Sequence, residues 1–199
     1  MDEGYIKFNC KWIKDKPIIL TNKLVEINKW RDKLYSLGLI GAYDNGIGFG
    51  NISIKFKKNS FIITGSATGK HPALNENHYV LVNKYDFDKN NLTCKGPIKA
   101  SSESLSHAMI YECSSDTNAI IHIHNIDMWK NLIDKLPTTN KKISYGTPAI
   151  AKEIKRLFLE SKVNDEKIIV MGGHKEGIIS FGKTLDEAGN ILLNKFRKL

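Results

Sequence analysis

Only three cysteines occur in the 199 residues, Cys10, Cys94 and Cys113, with no Cys-x-x-Cys spacing among them. An odd number so widely spaced argues against a disulfide framework and for a reducing compartment, so a cytoplasmic protein is expected. No apolar run approaches the ~20 residues that a membrane helix needs. The acidic start Met1-Asp2-Glu3-Gly4 is followed by no apolar h-region. No secretion signal and no membrane partner are therefore expected. Repeats, low-complexity tracts and linkers rich in Gly, Pro or Ser are also missing, so one domain over residues 1–199 is the simplest organisation. The formal charge is +9, yet no basic run with interleaved aromatics accompanies it. Lys57-Lys58 and Lys141-Lys142 are the only lysine pairs. Scattered lysines of this kind do not indicate a nucleic-acid partner. A diffuse positive field instead suits small anionic substrates such as sugar phosphates.

What is present is a core-forming composition, 41% hydrophobic, and one unusual strand. Ala119-Ile120-Ile121-His122-Ile123-His124 is too apolar and too β-branched for a loop and reads as a buried strand. Residues i and i+2 of a strand share a face. His122 and His124 thus project side by side, at a spacing that can chelate one metal ion. Two separately satisfied buried histidines are the other reading, though burying two imidazoles on one face requires partners for both. His174, in Gly172-Gly173-His174 after the apolar run Ile168–Met171, is a third candidate. Three imidazoles with an open position are the ligand set of a catalytic metal centre.

The remaining pattern predicts hairpins mixed with helices. Leu24, Ile27, Trp30, Leu34 and Leu37 have helical spacing over 22–37, with Gly38 as a stop. Ile52, Ile54 and Phe56 alternate with polar residues as in a half-buried strand, and Phe61–Thr64 returns from the turn at Lys57–Ser60. Residues 79–85 and 92–95 form another strand pair. Ser101-Ser102 is predicted to open a helix to about Cys113, and Asp127–Leu136 a short one. Thr147-Pro148 starts a further helix. Residues 167–171 and 177–181 are strands, and Thr184-x-x-Glu187 is a capping box for the last helix. The expected class is α/β with a largely antiparallel sheet.

Glu103, after Ser101 and Ser102, is either a carboxylate favoured by a helix dipole or a general base beside a metal. His107, one turn later, reads as structural. Gly50-Asn51, Thr64-Gly65-Ser66 and Ser101-Ser102 are turns whose backbone N–H groups could hold an anion, although such residues also serve turn geometry alone.

Taken in order, Gly50-Asn51-Ile52-Ser53, Thr64-Gly65, Ser101-Ser102-Glu103, His122-x-His124 and a late Gly-His resemble the class II aldolase/adducin family, over about residues 24–195. The resemblance implies a three-layer α/β/α fold with a central antiparallel sheet. It implies His122, His124 and His174 as ligands of a divalent metal, usually Zn2+, with Mn2+, Fe2+ or Co2+ as alternatives. Glu103 becomes the acid/base carboxylate, and Asn51, Thr64, Gly65, Ser101 and Ser102 the holders of a substrate phosphate. The implied activity is retro-aldol cleavage of a small phosphorylated keto-sugar through a metal-stabilised enediolate, by a homotetramer. A sugar-phosphate dehydratase using the same groups is the alternative enzyme. A non-catalytic adducin-like binding module is the alternative to an enzyme. In the aldolases a tyrosine from a neighbouring subunit, between the His-x-His strand and the third histidine, assists proton transfer. Tyr145 is the only tyrosine in that stretch. Residues 1–21 have no counterpart in the resemblance and read as an extension for packing or subunit contact.

Overall fold

Period-two and period-3.6 patterns alternate along the chain, and each finds its element in the computed structural model, which describes residues 6–18 and 21–199. The acidic start Met1–Gly4 and part of the 1–21 extension lie outside the described residues. The elements, in chain order, are β1 (Asn9–Lys14), α1 (Thr21–Ser36), β2 (Gly41–Ala42), β3 (Gly48–Phe49), β4 (Asn51–Lys57) and β5 (Ser60–Thr64). There follow β6 (Tyr79–Asp86), β7 (Asn91–Gly96), α2 (Ser104–Cys113), β8 (Ala119–His124) and α3 (Ile126–Leu132). The chain continues with α4 (Pro148–Glu160), α5 (Val163–Glu166), β9 (Ile168–Val170), β10 (Gly177–Gly182) and α6 (Leu185–Phe196).

Eight strands form one sheet in the order β1-β7-β6-β5-β4-β8-β10-β9, with β2 and β3 as a separate two-stranded pair. Every ladder in the large sheet is antiparallel except β1 with β7. Helices cover both faces, giving the α/β/α layering. Leu105, Ala108 and Ile110 of α2 and Ile150, Ile154 and Leu157 of α4 pack on one face. Ile27, Trp30 and Leu34 of α1 and Leu185, Leu192 and Leu193 of α6 pack on the other. Burial of such side chains contributes roughly 1.5–3 kcal/mol each.

The end of α1 shows how local chemistry aims the chain at the sheet. Gly38 takes φ +69°, which glycine adopts without a Cβ clash. Its N–H donates to Tyr35 O at 2.9 Å, and Leu39 N–H to Leu34 O at 2.9 Å, the paired bonds of a Schellman cap. The cap leaves Leu39 O free to accept from His124 N at 3.0 Å, tying the helix exit to the end of β8.

Several expectations are corrected. β4 is not half-buried: Asn51, Ile52, Ser53 and Ile54 are all buried, because a central strand covered on both faces puts its polar residues under a helix rather than in water. The helix predicted to reach Leu136 stops at Leu132, and Asp134 takes a left-handed φ of +62°. The capping box of α6 is half-formed: Thr184 Oγ1 accepts from Glu187 N at 3.0 Å. The Glu187 carboxylate instead takes Lys183 N at 2.7 Å and the Lys167 ammonium. The extension is partly sheet: Phe8 enters the core and β1 adds an edge strand. Trp12 Nε1 donates to Gly96 O at 2.9 Å there. Among the described residues no helix is long and apolar enough to cross a membrane.

Candidate metal centre

β8 lies in the interior of the sheet, with β4 on one side and β10 on the other. Its register places His122 opposite Asn51 of β4 and Ile179 of β10, and His124 opposite Gly177. Ile121 and Ile123 enter the core on the α1/α6 face, so His122 and His124 project from the other face, as does Ile120. The strand's two-residue period thus delivers both rings to one place. Their Nε2 atoms stand 3.0 Å apart. His122 Nδ1 is 3.2 Å from Ile178 O, and His124 Nδ1 is 2.8 Å from the Tyr43 hydroxyl. Each outer nitrogen is engaged, which leaves each Nε2 directed inward.

His174 arrives from the turn between β9 and β10, where close backbone approach requires glycine. A Cβ on Gly173 would sit 2.0 Å from Ile143 O, and one on Gly172 2.2 Å from Thr139 O. A Cβ on Gly177 would meet the His174 ring at 3.1 Å. The 139–143 loop therefore lies directly on the turn and presses the third imidazole toward β8. The Tyr145 ring stacks on it with centroids 4.5 Å apart. All three histidines are buried, and their ligand atoms lie within 4.8 Å of one another.

Glu103 approaches from the N-terminus of α2. The helix does not open at Ser101-Ser102 as its sequence suggested; its first residue is Ser104 and Glu103 occupies the cap, with φ −89° and ψ 5°. Ser104 Oγ donates back to Ser101 O at 2.6 Å, tightening the preceding turn. The cap position directs the Glu103 side chain across the sheet, where Oε1 lies 3.3 Å from His174 Nδ1. Ser106 Oγ donates to Oε2 at 2.7 Å. Burial pushes this carboxyl up, but the imidazoles of His174 and His122 and the Ser106 hydroxyl outweigh it and hold it down at about 2. For His124, burial and then its two neighbours lower the pKa well below the usual imidazole value, so the ring is neutral.

This donor set fits a divalent transition metal. Tetrahedral bonds of about 2.0–2.1 Å place imidazole nitrogens roughly 3.4 Å apart, close to the separation of His122 and His124. A buried carboxylate oxygen, Glu103 Oε1, stands beside this set, 3.3 Å from His174 Nδ1. Three imidazoles and a carboxylate suit zinc, manganese, iron or cobalt.

A narrow cavity of about 30 Å³ opens beside the three imidazoles and Glu103. Asn51, Gly65, Ser101 and Ser102 line it. Thr64 does not; its hydroxyl accepts Ile52 N at 3.2 Å inside the sheet. Asn51 Nδ2 donates to Ser101 Oγ at 3.0 Å. Because a serine hydroxyl both donates and accepts, the same pair also closes with the amide turned over. Ser66, part of the Thr64-Gly65-Ser66 turn, is on the rim as well; sequence reasoning missed Gly69 beside it, and Tyr43, Ser106 and Glu176 around it. A wider cavity of about 790 Å³ beside β1, β6 and β7 gathers no histidine and only one carboxylate, Asp86.

Behind the site, Ser53 Oγ lies 2.7 Å from His107 Nδ1 and 2.8 Å from Tyr111 OH. Burial, and then His122, pushes His107 down to about 3, so this ring is a neutral member of a buried network.

Comparison with known proteins finds the same architecture. The family model for the Class II Aldolase and Adducin N-terminal domain matches residues 41–193. An L-fuculose phosphate aldolase of Methanocaldococcus jannaschii is 31% identical over 153 residues, covering 70% of this chain and 75% of that protein. Among solved structures, an L-fuculose 1-phosphate aldolase superposes with a TM-score of 0.66 at 21% identity, covering 91% of this chain and 84% of the other. A sugar-phosphate aldolase from Thermotoga maritima gives 0.67 at 16% identity, covering 89% and 92%.

Proposed function

Since the chain belongs to the class II aldolase and adducin N-terminal domain family, we propose that it is a divalent-metal-dependent lyase that cleaves a small phosphorylated keto-sugar by a retro-aldol reaction. The observation that carries this reading is the convergence of His122, His124 and His174 within 4.8 Å, with the Glu103 carboxylate 3.3 Å from His174. An adducin-like binding module has no use for three buried imidazoles and a buried carboxylate, which are costly to keep without a ligand.

His122, His124 and His174 hold the metal, which supplies Lewis-acid polarisation of a ketone oxygen when bound. The chain's own residues do the rest. Glu103, ionised at neutral pH, removes a proton from the carbon beside the ketone in the aldol direction and returns it on cleavage. The Ser106 hydroxyl fixes one carboxylate oxygen, so the other faces the reacting carbon. Asn51, Ser101, Ser102 and the Gly65 backbone hold the phosphate, and Thr64 supports them from within the sheet. Anchoring that end of the substrate sets the distance between carbon and carboxylate, replacing a collision by a fixed geometry. The net charge of +9 draws the dianionic substrate toward the site.

The test uses zinc-loaded protein and dihydroxyacetone phosphate in deuterated water. Loss of a hydroxymethyl proton signal by NMR, abolished in Glu103→Gln, is expected. No exchange in a sample shown to contain stoichiometric zinc would overturn the aldol assignment.

A further inference from the structure

Like Ala67 on the cavity rim, at φ +59°, Glu176 has a backbone held against its preference. It follows His174 by two positions and takes φ +73°, a left-handed conformation that costs a non-glycine residue on the order of 1–2 kcal/mol. Strain of this kind persists where surrounding contacts enforce it. Here the contacts are specific. Glu176 O accepts Asn125 N at 3.0 Å, which fixes the turn to the end of β8. The side chain then meets Tyr43, whose hydroxyl donates to Oε2 at 2.9 Å.

The same hydroxyl lies 2.8 Å from His124 Nδ1. A phenol has one proton, and an ionised carboxylate only accepts. With the proton given to Glu176, the Tyr43 oxygen is the acceptor toward the imidazole, and the proton between Tyr43 and His124 sits on Nδ1. Nε2 is then bare, and it is the atom 3.0 Å from His122 Nε2. Phe49 covers the flat of the His124 ring, with centroids 5.3 Å apart and planes 23° from parallel. Tyr43 and Phe49 are themselves 4.7 Å apart, centroid to centroid. The hairpin of β2 and β3, which belongs to no part of the main sheet, thus grips one ligand ring by its face and by its outer nitrogen.

Resting on the metal-centre reading, we propose that Glu176 and Tyr43 are positioning residues: a carboxylate–phenol–imidazole chain that sets the tautomer, orientation and basicity of His124 as a metal ligand, with the left-handed turn retained to place the carboxylate. Partners of this kind beyond the ligands typically govern a ten- to hundredfold range of metal affinity.

A purely structural latch between turn and hairpin would also join these residues, and the two roles separate in one experiment. Glu176→Gly removes the carboxylate and relieves the left-handed backbone together. Zn2+ affinity is measured by competition with a chromophoric chelator, apo-protein stability by thermal unfolding, and the His124 tautomer by 15N NMR of the apo protein. The expected result is a zinc affinity lower by about ten- to a hundredfold with an apo midpoint that holds or rises. Tyr43→Phe is expected to lose affinity over the same range and to release His124 from the Nδ1–H form. Glu176→Gln, which keeps an acceptor oxygen, should recover part of the loss. Affinity unchanged in both Glu176→Gly and Tyr43→Phe would overturn the proposal, as would an apo midpoint that falls in step with affinity. A parent protein that binds no Zn2+ while its His124 is in the Nδ1–H form would instead overturn the metal reading, and the assignment of a ligand-positioning role with it.

Discussion

The Ser106 hydroxyl, one helical turn beyond Glu103, donates to Glu103 Oε2 at 2.7 Å while the opposite oxygen faces His174 at 3.3 Å. The carboxylate is therefore pinned on one side and open on the other. A hydrogen bond to a charged group contributes about 1.5–3 kcal/mol, the equivalent of roughly 1–2 pKa units. Because Ser106 stabilises the ionised form, Ser106→Ala should move the acid limb of the proton-exchange profile to higher pH by about that amount. The rate at neutral pH should fall less than tenfold. An unmoved limb, measured by deuterium exchange between pH 2 and 6, would separate Ser106 from the base.

His174→Ala should release the metal and the activity together. Removing one of three imidazoles leaves two rings whose Nε2 atoms stand 3.0 Å apart and a carboxylate without the imidazole 3.3 Å from it. Metal content by elemental analysis is expected to drop below one-tenth of stoichiometry after dialysis. Full occupancy with full turnover would mean that His174 is not a ligand.

Acid should destabilise the fold in two windows. His107 titrates at about 3 in the folded chain and at about 6.5 when unfolded. Between those values the unfolded chain binds a proton that the folded chain refuses, so stability falls as pH falls from 6.5, by at most on the order of 4–5 kcal/mol. Glu103 acts in the same direction lower down: its carboxyl is held at about 2 against an ordinary 4.5, so its contribution is present above pH 4.5 and is lost toward pH 2. His124, also depressed, adds to the upper window. Urea midpoints at pH 8, 6, 5 and 4 should decline steadily below 6.5, and His107→Gln should flatten that decline. A parent curve level from pH 6.5 to 4.5 would show that these rings are not buried neutral.

Gly189 in α6 is a packing glycine. A Cβ there would lie 2.1 Å from the Trp30 ring of α1, which is held in place by a 2.7 Å bond from its Nε1 to Asp186. Alanine gains about 1 kcal/mol of helix propensity but forces a rigid, buried ring to move, which costs about 1–3 kcal/mol. Gly189→Ala should lower the urea midpoint, and adding Trp30→Leu should recover part of the loss. A raised midpoint in the single variant would show that the two helices have slack at this contact.

Much of this arrangement is written in the sequence, and the unwritten parts have a common cause. His122 and His124 were readable because a strand's two-residue period is local. The glycines before His174 were visible as a turn, though only the 139–143 loop pressing on them explains why they cannot be larger. Glu103 was readable as a carboxylate near a helix start; its place on the cap depends on a turn closed by Ser104. Thr64 sat in a motif, yet the sheet takes its hydroxyl. Tyr43 and Glu176 carried no signal, since each is an ordinary residue of a turn until the turn after His174 and the small hairpin meet. β1 was missed for a related reason: its side chains are mostly exposed, and parallel pairing with β7 leaves no short-range mark.

The position of β8 between β4 and β10 has a consequence for synthesis. β4 precedes it in the chain, but β10 is made more than fifty residues later. While the ribosome adds that stretch, Ala119–His124 offers an unpaired edge of β-branched residues to any neighbouring strand. Its two histidines precede that stretch and His174 lies near its end, so the three cannot converge until it has been made. The proposed metal site is therefore complete no earlier than residue 174 is added, just ahead of the strand that seals the sheet.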